Sequence, residues 1–151
     1  MTDNTTQDYH LIKKVYTPSQ IAFASFVGGL AALVYFLMAN FGMLGQMVNK
    51  YKTLMAGAIA LFCLLFILPD LLEGVPGSVF SVVYALIGMK VAAKMHMTKE
   101  HIADSKDHDF HSNWRVLGLT VACLLVTLAV YFTFNPDDWV KVSNMFVSFI
   151  N

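Results

Sequence analysis

The sequence predicts an all-α membrane protein: a bundle of four transmembrane helices with a short polar N-terminal tail and an interfacial C-terminal helix. Three observations lead there. First, 57% of the residues are hydrophobic and only 13% are charged, whereas a soluble domain carries about 25% charged residues. A soluble fold of this composition would expose large apolar patches; a bilayer solvates them instead. Second, four apolar stretches each approach the ~20 residues that a helix needs to cross about 30 Å of hydrocarbon. Third, there are no alternating segments of about ten residues, as a β-barrel would require. The implied layout is a polar tail over 1–18, a transmembrane domain over 19–136 and an amphipathic tail over 137–151.

Span 1 is expected over 20–41. Pro18 and Ser19 suit a helix start, with Ser19 as the cap. Asn40, Gly42 and Gly45 loosen its far end. The run is too long for a signal-peptide core and no small-residue cleavage site ends it, so it reads as an uncleaved span. Span 2 is expected over 53–68. Nine residues from Leu54 to Leu68 are Leu, Ile or Phe, which together favour insertion by roughly 4 kcal/mol. Pro69 ends it, and Gly74, Pro76 and Gly77 break the chain into a turn.

Span 3, over 78–95, has the thinnest margin. Its seven Val, Leu, Ile and Phe residues favour insertion by roughly 3 kcal/mol, and Lys90 would cost about as much at the bilayer centre. Lys90 sits near the end, where it can snorkel to the headgroups. Span 4, over 114–134, carries Trp114 and Tyr131 where interfacial anchors belong, and Pro136 closes it. In the tail, Trp139, Val142, Phe146 and Phe149 recur at helical spacing, as in a helix that lies on a membrane rather than across it.

Lysine and arginine set orientation. With four spans, the first and third connections share a side. That side collects Lys50 and Lys52 with Lys90, Lys94, Lys99, Lys106 and Arg115; Lys13, Lys14 and Lys141 fall on the other. This count predicts both connections in the cytoplasm and both termini outside, with Lys13 and Lys14 opposing it.

The most polar stretch is the third connection, which holds His96, His101, His108 and His111 with Asp104, Asp107 and Asp109. Histidine and carboxylate can bind zinc or another divalent ion, and His108 and His111 would share one side of a helix. No established ligand spacing is present, and a solvated loop accounts for the same residues. Asp70 and Glu73 read as an interfacial pair beside a turn. No Asp, Glu, Arg or His falls in mid-span, which weighs against proton pumps and ion-coupled transport. Cys63 and Cys123 lie in apolar runs and read as small hydrophobes. No nucleophile–base pair, phosphate loop or dinucleotide fingerprint is visible, so neither an enzyme nor a cofactor is expected. The balanced charge of 10 basic and 10 acidic residues points away from nucleic acid.

Small residues recur every fourth position. Ala24, Gly28 and Ala32 line one stripe of span 1; Ser81 with Ala85, and Gly88 with Ala92, repeat the pattern in span 3. Such stripes let helices approach closely in lipid, either within the bundle or against another membrane protein.

The segment YTPSQIAFASFVGG (16–29) resembles the opening of a family of small bacterial inner-membrane proteins for which no activity is established. Asn40, Leu68-Pro69 and Ser112-Asn113-Trp114-Arg115 match further features of that family, over about 16–134. One departure is Val27-Gly28-Gly29-Leu30, where the family pattern has a proline shortly after the glycine. The resemblance implies a bacterial inner membrane and carries over no functional residue.

The expected function is therefore that of a non-catalytic integral membrane protein. It would act through helix or loop contacts with another membrane protein or with itself. One form is an immunity protein against a membrane-acting toxin. The alternative is a small oligomeric channel or transporter, or an accessory subunit of a membrane complex.

Overall fold

The computed structural model describes residues 13–66, 76–94, 108–134 and 136–150. Among them the chain is mostly helical, with five helices and one two-stranded ribbon. The order is β1 (Lys13–Val15), α1 (Pro18–Met43), α2 (Met47–Phe66), α3 (Gly77–Lys94), β2 (His108–Phe110), α4 (Asn113–Phe134) and α5 (Pro136–Ile150). Three helices, α1, α3 and α4, are long and apolar enough to cross a membrane. The described part of α2 carries Lys50 and Lys52 in its first two turns, which lowers its mean hydropathy.

α1 starts with a full set of caps. Thr17, not Ser19, is the N-cap: its hydroxyl accepts from the Gln20 N–H, and the Gln20 side chain accepts from the Thr17 N–H in return. Pro18 occupies the first helical position, where its missing N–H costs nothing.

The helix expected as one straight span over 20–41 is instead broken in two. Gly29 has φ 66° and ψ −152°, a region essentially closed to residues with a Cβ. Beyond it the chain turns back. The clearest sign is that Asn40 hydrogen-bonds the backbone of Tyr16 at both N–H (2.8 Å) and C=O (2.7 Å). Across a straight helix those residues would lie about 36 Å apart. Hence α1 is a hairpin: a first arm over 18–28, a tip at Gly28–Gly29, and a second arm over 30–43 that returns to the starting end. Eleven helical residues span about 16 Å, or half a bilayer core.

The second arm ends in a Schellman motif. Gln46 N–H bonds the Phe41 carbonyl (2.8 Å), Gly45 N–H bonds that of Gly42 (3.2 Å), and Gly45 takes φ 71°. The turn sends α2 back along the second arm, with Lys50 beside Gly42 and Gly57 pressed under the Val34 side chain.

α1 is also the centre of the molecule. Most of the buried core belongs to it, including Ile21, Ala24, Ala32, Leu33, Phe36 and Phe41. α2, α3 and α4 each pack on α1 and scarcely on one another. α3 fits across both arms at Gly88, where an added Cβ would lie 3.0–3.2 Å from Leu33, Ile21 and Ser25. α4 runs parallel to the first arm: Gln20 meets Asn113 near the two starts, and Gly28 lies against Thr120 and Cys123 deeper in.

The parallel helices continue a parallel ribbon, in which Lys13, Lys14 and Val15 oppose His108, Asp109 and Phe110. Sequence analysis expects no strand here, only a polar tail and a polar connection. Three-residue strands some 95 residues apart leave no periodic trace. At the other end α5 begins at Pro136, and Trp139 meets Phe132 edge-on at 5.2 Å.

Candidate functional site: a polar clasp over the hairpin mouth

Tyr16 lies between the ribbon and α1, and three elements converge on it. Val15 and Tyr16 are buried by the fold-back of α1, so the Tyr16 peptide groups need partners away from water. Asn40 supplies both. It is 0% exposed, and an amide is the one uncharged side chain that offers a donor and an acceptor side by side. The Tyr16 ring packs edge-on against Phe36 (4.7 Å between centroids) and stacks on His111 (4.3 Å, 28°).

Gln20 carries the clasp to α4. Its Nε2 donates to the His111 carbonyl (3.0 Å) and to Asn113 Oδ1 (2.8 Å). His111 N–H in turn donates to the Val15 carbonyl at 3.2 Å. One glutamine thus closes the cap of α1 and ties it to the start of α4. The Lys14–Asp109 pair (3.8 Å) is more than half exposed on both sides and adds little energy.

These contacts set the protonation of the site. Burial pushes the His111 imidazole below its ordinary 6.5; the Arg115 and Lys14 cations push the same way, against a hydrogen bond to the Lys14 backbone and the Asp109 charge. His111 is therefore neutral at pH 7. Burial, helped by Tyr35, raises the Tyr16 phenol above its usual value, while Arg115 opposes the shift through its charge and a hydrogen bond.

At the tip, the Thr127 hydroxyl reaches the Gly28 carbonyl at 3.4 Å and the Cys123 carbonyl at 2.9 Å. The buried hydroxyls of Ser25 and Thr120 bond the carbonyls four residues back, each at 2.7 Å. Among the described residues no buried side-chain nitrogen or oxygen lacks a partner. Asn40 ties the returning arm of the hairpin to Tyr16, and Gln20 ties its start to α4, which makes the arrangement a mechanical clasp.

Of the histidines singled out as metal ligands, His96 and His101 lie outside the described residues. His108 and His111 do not share a helix face: His108 is in β2, and His111 is buried and stacked on Tyr16. Among the described residues no three His, Cys, Asp or Glu come together. The small residues divide more simply. Ala24, Gly28, Ala32, Gly88 and Ala92 are buried inside the molecule, and Ser81 and Ala85 are half-buried. Sequence analysis does not single out Tyr16, Gln20 or Gly57. The available signals were an asparagine within an apolar run and two adjacent glycines at mid-span.

Comparison with protein-family models, curated proteins and solved structures finds no match to this chain.

Proposed function

We propose that this chain is a non-catalytic integral membrane protein whose clasped hairpin enters the bilayer halfway and whose other helices surround it. In this reading α2, α3 and α4 cross the membrane. The tip of α1 stops near mid-depth, where Gly28 lies against Thr120 and Cys123 of α4. α5 lies on the far surface with its apolar face in the headgroup layer. The 20 residues of α2 supply about 30 Å, with Lys50 and Lys52 in the headgroups.

Orientation follows from the ends that meet in the clasp. The N-terminal strand, the α1–α2 turn, the end of α3 and the start of α4 belong to one face. Among the described residues, seven basic residues (Lys13, Lys14, Lys50, Lys52, Lys90, Lys94 and Arg115) belong to segments at that face, and Lys141 to the other. The asymmetry supports placing the clasp in the cytoplasm, with the N-terminus inside and the C-terminus outside, in place of both termini outside. Lys13 and Lys14 then agree with the rest. Reporter fusions test this: a C-terminal alkaline phosphatase is active and a C-terminal fluorescent protein dark, and the reverse outcome refutes it.

The observation that carries the interaction role is the contrast between α1 and its neighbours. The small-residue stripes and buried polar groups serve the hairpin, while α3 and α4 keep apolar side chains such as Val82, Leu86, Leu125 and Val126 exposed along their outer faces. These faces are available to another membrane protein or a second copy. An immunity protein that shields a bacterial inner membrane from a toxin is one such role. Photo-crosslinkers at Val82 and Leu125 in native membranes test it: a discrete protein adduct is expected, and adducts to lipid alone refute it.

One observation favours a second reading, a small oligomeric channel. A helix broken at mid-depth is a device of channels and transporters, and Gly29 provides such a break. Flux of ions and small solutes across proteoliposomes decides it; none at high protein load excludes it.

A further inference from the structure

Two small residues fix the rotation of α3 about its own axis. Gly88 sits where an added Cβ would lie 3.0–3.2 Å from Leu33, Ile21 and Ser25 of α1, and Ala92, one turn on, is fully buried. α3 packs on α1 and scarcely elsewhere, so its other side points away from the bundle. Lys90 and Lys94 lie about 200° and 240° around the helix from Gly88. They are one turn apart, and both are exposed. They share the outward side with Val83, Leu86 and Ile87, which are exposed as well. Only Val91, Ala92 and Ala93 separate the two lysines, so Lys90 is a cation set inside an apolar run. Its depth is fixed too. Gly88 meets Ile21, one turn in from the Thr17 cap of α1. Lys90 is about 3 Å nearer the end of α3, at the level of the clasp. Among the described residues neither lysine has a carboxylate at ion-pair distance; Asp109, the described carboxylate at the clasp, pairs with Lys14.

We propose that Lys90 and Lys94 together bind the phosphate of an anionic glycerophospholipid, whose acyl chain runs along α3 over Leu86 and Val83. This rests on the membrane placement proposed above. Cations within spans normally face the bundle interior and pair there. Lys90 faces lipid instead, where its long stem can follow the apolar surface and its ammonium can reach only a headgroup. Two ammonium groups one helical turn apart can share one phosphate. The phosphate of phosphatidylcholine is neutralised by its own choline, and that of phosphatidylglycerol is not, so the pair selects the anionic lipid. A soluble phosphate compound would leave Leu86 and Val83 uncovered.

Leu86→Trp, in a chain that also carries Trp114→Phe and Trp139→Phe, places the sole tryptophan one turn below Lys90. The protein is reconstituted into vesicles that mix a brominated lipid with plain phosphatidylcholine. The ratio of brominated to plain lipid at half-quenching is expected to be about 25-fold lower for phosphatidylglycerol than for phosphatidylcholine, about fivefold from each lysine at about 1 kcal/mol. Lys90→Gln with Lys94→Gln abolishes the preference, and Lys90→Arg with Lys94→Arg keeps it. Lys52→Gln, at an exposed position of the same face on α2, leaves it unchanged. Soluble glycerol phosphate at millimolar concentration does not displace the lipid, and full displacement overturns the lipid as occupant. Equal quenching by the two lipids, or a preference that survives the double glutamine variant, overturns the site while leaving the membrane placement standing. A preference lost equally in Lys52→Gln overturns it as well, since surface charge alone would then be responsible. No quenching by either lipid overturns the site together with the placement.

Discussion

Replacing Asn40 by leucine should unfasten the hairpin. Leucine keeps the branched shape of asparagine, though it is bulkier, and suits the apolar surroundings, so the change removes the two hydrogen bonds to Tyr16, at 2.8 and 2.7 Å. Both are lost at a position with no solvent exposure. A buried peptide group left without a partner costs about 1–3 kcal/mol. The Tyr16 N–H and C=O are both stranded, so the sum is about 2–6 kcal/mol. The gain from burying leucine in place of an amide offsets about a third of that at about 25 cal/mol per Å² of apolar surface, leaving a net loss of about 1.5–4 kcal/mol. Reversible unfolding in mixed micelles, with the denaturing detergent fraction as the axis, measures it. Asn40→Asp serves as the control: it keeps one acceptor, loses the donor and places a charge against the Tyr16 carbonyl, so it should lose at least as much as leucine. A loss below about 0.5 kcal/mol for both would show that the clasp holds nothing together, and the hairpin would need another explanation.

Gly57→Leu should prevent α2 from seating, because even a Cβ at that position overlaps Val34; overpacking of this kind costs about 1–3 kcal/mol, read from the same unfolding curves. Gly88→Leu, with Leu33, Ile21 and Ser25 at 3.0–3.2 Å from the added Cβ, should do the same for α3. Gly29→Val is a purer test of backbone strain, since its Cβ meets nothing within 4 Å. The expected loss is about 1–3 kcal/mol from φ 66° alone, and a neutral result would deny the turn. His111, with its affinity for protons depressed in the folded state, should make stability fall as pH drops below about 6.5, because there the unfolded chain takes up a proton that the folded chain resists. Above that pH the histidine should have no effect. Unfolding at pH 7.5 and 5.5 should therefore differ more in the parent than in His111→Phe, which keeps the stack on Tyr16.

Helices were legible wherever apolar residues run unbroken, as over Leu54–Phe66 and Asn113–Phe134. What hydropathy could not reveal was the path of α1. A straight span and a hairpin with two apolar arms have the same composition, and the distinction rests on two adjacent glycines. Gly28 reads as part of a small-residue stripe, a role that it does fill against Ala32 and Thr120. Gly29 faces open space and matters through its backbone instead. Asn40 carried a second clue. A lone amide in an apolar run needs partners if it is buried, but nothing local names Tyr16, 24 residues away, as that partner. The His108–His111 spacing suggested a helix face because the intervening residues favour no structure on their own. Their strand exists only by pairing with residues 13–15, a contact between distant segments that no local pattern encodes.

The central claim is that α1 leaves and returns at the same end. Spin labels at Ser19 and Met43, both exposed and at opposite ends of α1, measure this by pulsed dipolar spectroscopy in lipid. A hairpin places them under about 20 Å apart, whereas an unbroken helix places them about 36 Å apart. The short distance is expected; the long one would contradict the fold-back, the clasp and the half-inserted hairpin together.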